Sequence, residues 1–168
     1  MIRRIFACFT VLMLSALCLC GCGEQSSAVV VEYADMQKLS AAMSAADSSL
    51  PDMLTVTDAD DNAAINFSSV SDMDYNKVAH YFLTYSSEGK ADEICVIALK
   101  DQTDVLAAKS ALELHKTTRV RMYREYDAAQ APRAESGLVF TDGLYAVLII
   151  SDNAEAVKAA FTAEIAGD

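Results

Sequence analysis

The sequence predicts an α+β domain built on a four-stranded antiparallel sheet of two β-hairpins, in the order ββαββα. Its two main helices are expected on one face, with N-terminal helices before them. Two pairs of apolar segments each flank a short turn-forming cluster, and one of these turns is Asp142-Gly143, a strong hairpin signal. A segment rich in helix-forming residues follows each pair.

The N-terminal part of the domain predicts two helices. Apolar residues at helical spacing over residues 36–46 predict the first, which ends before Pro51. Residues 53–57 are expected to form a brief extended segment, and residues 58–70 a short helix capped by Asp or Asn. Two side chains of that helix are expected to turn inward, Ile65 and Phe67.

Two hairpins and their helices follow. Residues 78–85 and 93–100 form the first predicted hairpin, and residues 138–141 and 144–151 form the second. The predicted helices lie at residues 103–126 and 153–165.

The two halves look alike. Residues 96–104 align with residues 147–155, and each predicted helix begins at an Asp-amide pair. The similarity indicates either a duplicated ββα unit or convergent helix capping. Residues 144–150 are apolar at every position, so both faces of that strand need cover. The C-terminal helices can cover one face, and the N-terminal helix, a partner or a ligand covers the other.

A lipobox, Leu19-Cys20-Gly21-Cys22, ends the N-terminal apolar run. Arg3 and Arg4 precede that run, and Gly21 is the small residue expected just before signal cleavage. We therefore predict cleavage after Gly21 and attachment of a diacylglycerol to the Cys22 thiol, which two acyl chains would anchor stably. An uncleaved signal anchor is the alternative, because the run is just long enough for a marginal span.

The predicted organisation is a signal peptide over residues 1–21, a lipidated cysteine and tether over residues 22–30, and a single α+β domain over residues 31–168. The predicted location is the outer face of the cytoplasmic membrane, lipid-anchored and extracytoplasmic.

The net charge of the chain restricts which partners it can bind. The chain has a net charge of −11, and the leader holds two arginines and no acid, so the mature part is more acidic still. Nucleic acid and anionic lipid repel such a chain, so membrane contact is expected through the lipid on Cys22 alone. After cleavage and lipidation only Cys95 stays free, which excludes an intramolecular disulfide. Its apolar strand predicts a buried, inert thiol.

No motif predicts catalysis, a metal site or a cofactor. Two segments have the Asp-x-Asp-x-Asn spacing that opens a calcium loop, at residues 58–62 and 72–76, but both lack the glycine and glutamate that an EF-hand needs. Acidic caps of turns and short helices explain them better. His80 is expected to be a satisfied structural histidine, and His115 to lie on a solvated cationic helix face.

Basic residues concentrate toward the end of the long predicted helix, where they complement its negative dipole end. They are also a candidate docking patch for an acidic partner or for cell-wall phosphate. The candidate partner-binding residues are Arg119, Arg121 and Arg124.

The chain resembles a family of short lipoproteins from Gram-positive gut clostridia that carries a domain of unknown function. The resembling segments are residues 50–53, residues 91–94, Tyr126, residues 143–152 and residues 154–161. The resemblance implies an exported, lipid-anchored domain and brings no activity with it.

The leading hypothesis is a non-enzymatic accessory domain of the cell envelope that binds another envelope protein. It would bind through the second sheet face or the basic helix end. A small-ligand or metal-binding lipoprotein is the alternative, and a cryptic hydrolase is the third.

Overall fold

The computed structural model describes residues 32–167. Residues 32–168 form one compact unit with its own core, so this part of the chain can be studied by itself. The predicted leader, the cleavage site at Gly21 and the lipidated Cys22 with its tether lie outside the described residues. No helix among residues 32–167 is long and apolar enough to cross a membrane.

The described residues form five helices and five strands, with short 3-10 helices at Tyr75–Lys77 and Gln102–Asp104. The elements in order are α1 (Met36–Ala45), β1 (Met53–Thr57), α2 (Ala63–Ser68), β2 (Val78–Ser86), β3 (Glu93–Leu99), α3 (Val105–Tyr126), α4 (Ala131–Ser136), β4 (Leu138–Asp142), β5 (Tyr145–Ile150) and α5 (Ala154–Gly167).

The sheet has five strands in the order β1-β2-β3-β5-β4, with every neighbouring pair antiparallel. The prediction of four strands is therefore wrong, because β1 pairs with β2 from Met53 opposite Ser86 to Thr57 opposite Phe82. The two predicted hairpins are confirmed. β1 was missed as a sheet strand because α2 and a loop separate it from β2, so no turn signal links them.

The two main helices lie on opposite faces, so the prediction of both on one face is wrong. Alternate residues of β3 point to opposite sides of the sheet. Cys95 and Ile97 belong to the apolar cluster under α2, α3 and α4, whereas Ile94 and Val96 belong to the cluster under α1 and α5. Every residue of β5 is apolar and buried, so both faces of this strand must be shielded from water.

The similarity of the two halves is matched by the pairing of the hairpins but not by the placement of the helices. Val96 pairs with Val147 at the centre of the sheet, as the alignment of the two halves implies. If the two ββα units were equivalent, a two-fold axis would exchange the antiparallel neighbours β3 and β5. Such an axis is perpendicular to the sheet, so it would place both helices on one face. Because α3 and α5 lie on opposite faces, the whole ββα units are not equivalent.

Individual burial predictions have mixed outcomes. Cys95 is fully buried, as predicted, and burial raises the pKa of its thiol well above the ordinary value. Phe67 is buried as predicted, but Ile65 is 70% exposed, so the prediction that both turn inward is wrong for Ile65. Ile65 and Phe67 are two residues apart and so lie about 200° apart around α2, whose buried face holds Ala63 and Phe67.

Candidate functional site

A cavity of about 520 Å³ opens between α2, the second half of α3 and strands β1, β2 and β3. It lies between α3, which packs against β4 and β5, and the short α2, which contacts β1 and, through Tyr81, β2. The stretch of sheet between the two helices is left without a helix over it. The turn after β2 contributes Gly89 and Lys90 to the cavity lining.

The cavity lining contains both apolar and polar residues, and its polar part is called the polar wall below. The apolar residues are Val56, Ile65, Leu83, Tyr85 and Met122. The polar residues are Asn66, Ser69, Ser86, Lys90, Glu93, His115, Arg119 and Tyr123. The exposure of Ile65 follows from this placement, because its side chain stands at the rim of the cavity rather than in the core.

A buried carboxylate lies at the polar wall. Glu93 is the first residue of β3, and its side chain is only 4% exposed. Its Oε1 lies 2.6 Å from His115 Nε2, and its Oε2 lies 3.0 Å from Arg119 Nε. A buried charge is costly unless it is paired, so the two α3 side chains are what allow Glu93 to stay there.

The Arg119 guanidinium is fixed from a second side by Tyr123. Arg119 Nη2 donates to the Tyr123 hydroxyl at 3.0 Å, and the guanidinium carbon lies 5.0 Å from the ring centroid. Arg119 Nε is buried and lacks hydrogen-bond alignment, although it is within ion-pair distance of Glu93. The guanidinium therefore sits between a carboxylate and an aromatic ring, with little freedom to move.

Tyr123 also ties α3 to the turn between β2 and β3. Its hydroxyl lies 2.5 Å from the carbonyl oxygen of Lys90 and 3.0 Å from that of Gly89, and donates to this pair. Burial raises the pKa of Tyr123, so the phenol stays a protonated donor at neutral pH. Gly89 has φ +75°, a conformation that side-chain-bearing residues rarely adopt, and this allows the turn to reach the helix.

The three candidate partner-binding arginines do not share one surface. Arg119 lies in the cavity, whereas Arg121 and Arg124 are exposed, and Arg124 Nε donates to Glu135 of α4 at 3.1 Å. Two residues along a helix turn it by about 200°, which separates Arg119 from Arg121. Partner binding by these residues stays a prediction.

His115 is where sequence reasoning missed a site residue. The prediction of a solvated cationic face is wrong, because the side chain is 14% exposed and contacts Glu93. His115 and Arg119 are four residues apart and so share one helix face. That spacing was the available signal, but the carboxylate opposite them comes from a strand and has no local sequence signature.

The second histidine lies elsewhere and plays a structural part. His80 Nδ1 is 2.9 Å from Asp58 Oδ2, and Asp58 Oδ1 accepts from the backbone amide of Tyr81 at 3.2 Å. The Tyr33 ring packs edge-on against the imidazole. The prediction of a satisfied structural histidine is confirmed.

The two acidic segments with calcium-loop spacing, residues 58–62 and 72–76, stabilise a turn and a 3-10 helix. Asp60 accepts from the backbone amide of Thr57, and Asp74 accepts from that of Asn76 at the start of a 3-10 helix. Among residues 32–167, no three His, Cys, Asp or Glu side chains are grouped as metal ligands.

The structure is thus an α+β domain with an antiparallel sheet covered on both faces and a cavity at its β1 side. Residues 52–151 match the family model described as Domain of unknown function (DUF4358), and the chain belongs to this family. The match spans all five strands, α2, α3 and α4, and therefore the whole cavity. Comparisons with curated proteins and with solved structures find no match.

Proposed function

We propose that this protein is a lipid-anchored binding protein that takes up a small ligand with an apolar body in the cavity beside β1 and β2. The observation that carries the proposal is a cavity of about 520 Å³ whose lining combines apolar side chains with a pre-arranged polar cluster. Known ligand pockets have roughly this volume, about 300–1,000 Å³, and combine apolar lining with a few placed polar groups.

The polar cluster supports binding rather than a purely structural role. Glu93 and Arg119 neutralise each other, and Tyr123 fixes the guanidinium. Groups that are already held in place lose little conformational entropy when a ligand arrives. The proposal includes no chemical turnover.

The anchor is proposed from the sequence. The lipobox at residues 19–22 supports a diacylglycerol on Cys22 and a position on the outer face of the cytoplasmic membrane. Metabolic labelling with a palmitate analogue tests it in the full chain and in its Cys22→Ala variant. Equal labelling of the two chains would rule out this cysteine as the lipid site.

Binding of an envelope protein is a second proposal, with a narrower basis than the sequence suggested. Helices pack on both sheet faces and leave the cavity beside β1 and β2 uncovered, so docking through a wholly bare sheet face has lost its support. Arg121 and Arg124 remain exposed in an acidic protein and favour an acidic partner. Reversing both charges should weaken capture of such a partner if this proposal holds.

Nile red, a neutral dye whose emission rises in apolar surroundings, tests the cavity. We expect saturable binding to a protein of residues 23–168. Ser69→Trp should reduce it, because Ser69 lines the cavity and a bulky ring there would fill the space. Ser68→Trp is the matched control, since Ser68 is the adjacent exposed serine and lies outside the lining. Equal dye binding by both variants would contradict the proposal.

A further inference from the structure

Two of the three guanidinium nitrogens of Arg119 already face a protein group. Nη2 is bonded to Tyr123, and Nε faces Glu93 at 3.0 Å. Nη1 makes no hydrogen bond with any of residues 32–167. An arginine that is already fixed at two nitrogens is pre-organised to bind a third group, and the planar fork of guanidinium suits carboxylate oxygens.

Lys90 supplies a second cation at the same cavity. Its ammonium pairs with Glu88, and the two side chains are 43% and 46% exposed. An exposed ion pair of this kind is weak, so an incoming anion can compete for the lysine. Arg119 and Lys90 thus place two positive charges at the polar wall of a protein whose net charge is −11.

Glu93 restricts the charge that a ligand can carry. Both of its oxygens already face α3 side chains, so an amine would find no free carboxylate there. Its own negative charge beside Arg119 repels a dianion such as a phosphate monoester more strongly than a monoanion. A ligand with a single negative charge therefore matches this wall best.

We infer that the cavity binds molecules that carry one carboxylate on an apolar body. Arg119 anchors the carboxylate, Lys90 assists, and the apolar body lies against Val56, Leu83 and Met122. This inference rests on the proposed function and adds the chemical class of the ligand. Fatty acids and peptide C-termini that end in apolar residues both have this chemistry.

Calorimetric titration of residues 23–168 with octanoate, octanamide and octylamine tests the inference. These probes share an apolar chain and differ in charge. We expect octanoate to bind at least about tenfold more tightly than octanamide, because a charge-assisted hydrogen bond exceeds a neutral one. Octylamine should bind no better than octanamide.

Arg119→Gln should abolish the preference for octanoate while octanamide still binds, which shows that the cavity remains intact. Arg121→Gln is the matched control, because Arg121 lies on the same helix and is exposed away from the cavity. Arg119→Lys keeps the charge without the fork and should retain part of the preference. If Arg119→Gln does not fold, Arg119→Lys replaces it in the test. An octanoate preference that is unchanged in Arg119→Lys would overturn the role of the guanidinium.

The possible results separate the two claims. Equal affinity for octanoate and octanamide overturns the carboxylate inference and leaves the ligand-binding cavity standing. Failure of all three probes together with failure of Nile red overturns both. N-acetyl-Leu-Leu with a free or amidated C-terminus then distinguishes the sources. A preference for the free dipeptide acid over octanoate points to peptide ends, and the reverse points to fatty acids.

Discussion

At the scale of single residues, buried polar groups carry much of the specificity of this fold. Asp47 follows α1 and is only 2% exposed. Its oxygens accept from the Ser49 amide and hydroxyl, and from the Asn153 amide and side chain at the start of α5. Burial alone would raise its pKa, but these hydrogen bonds outweigh that effect and hold the pKa of Asp47 well below its ordinary value.

Asp47→Asn should destabilise the domain at neutral pH by about 1–3 kcal/mol, the usual cost of losing hydrogen bonds to a buried charge. A carboxyl group whose pKa is lowered by folding stabilises the protein above its unfolded pKa of about 3.9, and that contribution is lost as the pH falls. The difference between wild type and variant should therefore narrow below about pH 4. Urea unfolding across pH measures it.

Asp61→Asn is the control for this experiment, because Asp61 is exposed. It should leave the free energy of unfolding nearly unchanged at every pH. A constant gap between Asp47→Asn and wild type down to pH 2 would contradict the assignment.

Tyr123 is the residue-scale link between the cavity and the turn after β2. Tyr123→Phe removes the donor to the carbonyls of Gly89 and Lys90, and it removes the oxygen that holds Arg119. We expect a loss of about 1–2 kcal/mol in the free energy of unfolding and faster amide exchange over residues 87–92. Tyr126→Phe is the matched control, since Tyr126 lies on the same helix and is 83% exposed. Equal exchange rates in the two variants would show that the hydroxyl does not order the turn.

At the scale of elements, α4 shows how a helix without strong local signals is held by tertiary contacts. It has six residues, too few to be stable by itself. Arg133 joins it to two other elements, with Nη1 2.7 Å from the buried carboxylate of Asp92 and Nε 2.9 Å from Asp152 after β5. Burial raises the pKa of Asp92, and the arginine opposes that rise. Such contacts over long sequence separations explain why the sequence did not predict α4.

The junction of α4 and β4 requires glycine for space. A Cβ atom on Gly137 would lie 2.9 Å from Ile150 Cγ1, 3.1 Å from the Ile149 carbonyl oxygen and 3.2 Å from that of Ala134. Gly137→Ala should cost about 1–3 kcal/mol, because the buried β5 cannot retreat easily. Gly167→Ala, where a Cβ meets nothing within 4 Å, should be neutral or slightly stabilising. Urea midpoints that shift equally in both variants would refute the steric argument.

At the scale of the whole molecule, the sequence predicted what local pattern determines and missed what only the assembled sheet determines. The two hairpins, α1, α3 and α5 follow from apolar periodicity and turn residues such as Asp142-Gly143. The pairing of β1 and the placement of α3 and α5 depend on contacts across the sheet. The cavity was missed for the same reason, since Glu93 and Arg119 meet only after β3 and α3 are packed.

The family match and the fold together lead to a last prediction. Residues 52–151 match the family model, but α1 and α5 lie outside that range. These two helices cover the sheet face that includes Ile94, Val96 and Ile149, each of which is fully buried in the domain. A protein of residues 52–151 would present this face to water, and contiguous apolar surface of that kind promotes association.

We therefore expect residues 52–151 to aggregate or to bind the dye ANS strongly, whereas residues 32–168 stay monomeric and bind it weakly in gel filtration and fluorescence assays. Restoring α5 alone by extending the chain to residue 168 should give an intermediate result, because α1 packs on α5 as well as on β2 and β1. A monomeric, ANS-silent protein of residues 52–151 would show that the matched segment closes its own second face. In that case α1 and α5 would be additions to a self-sufficient domain rather than half of its core.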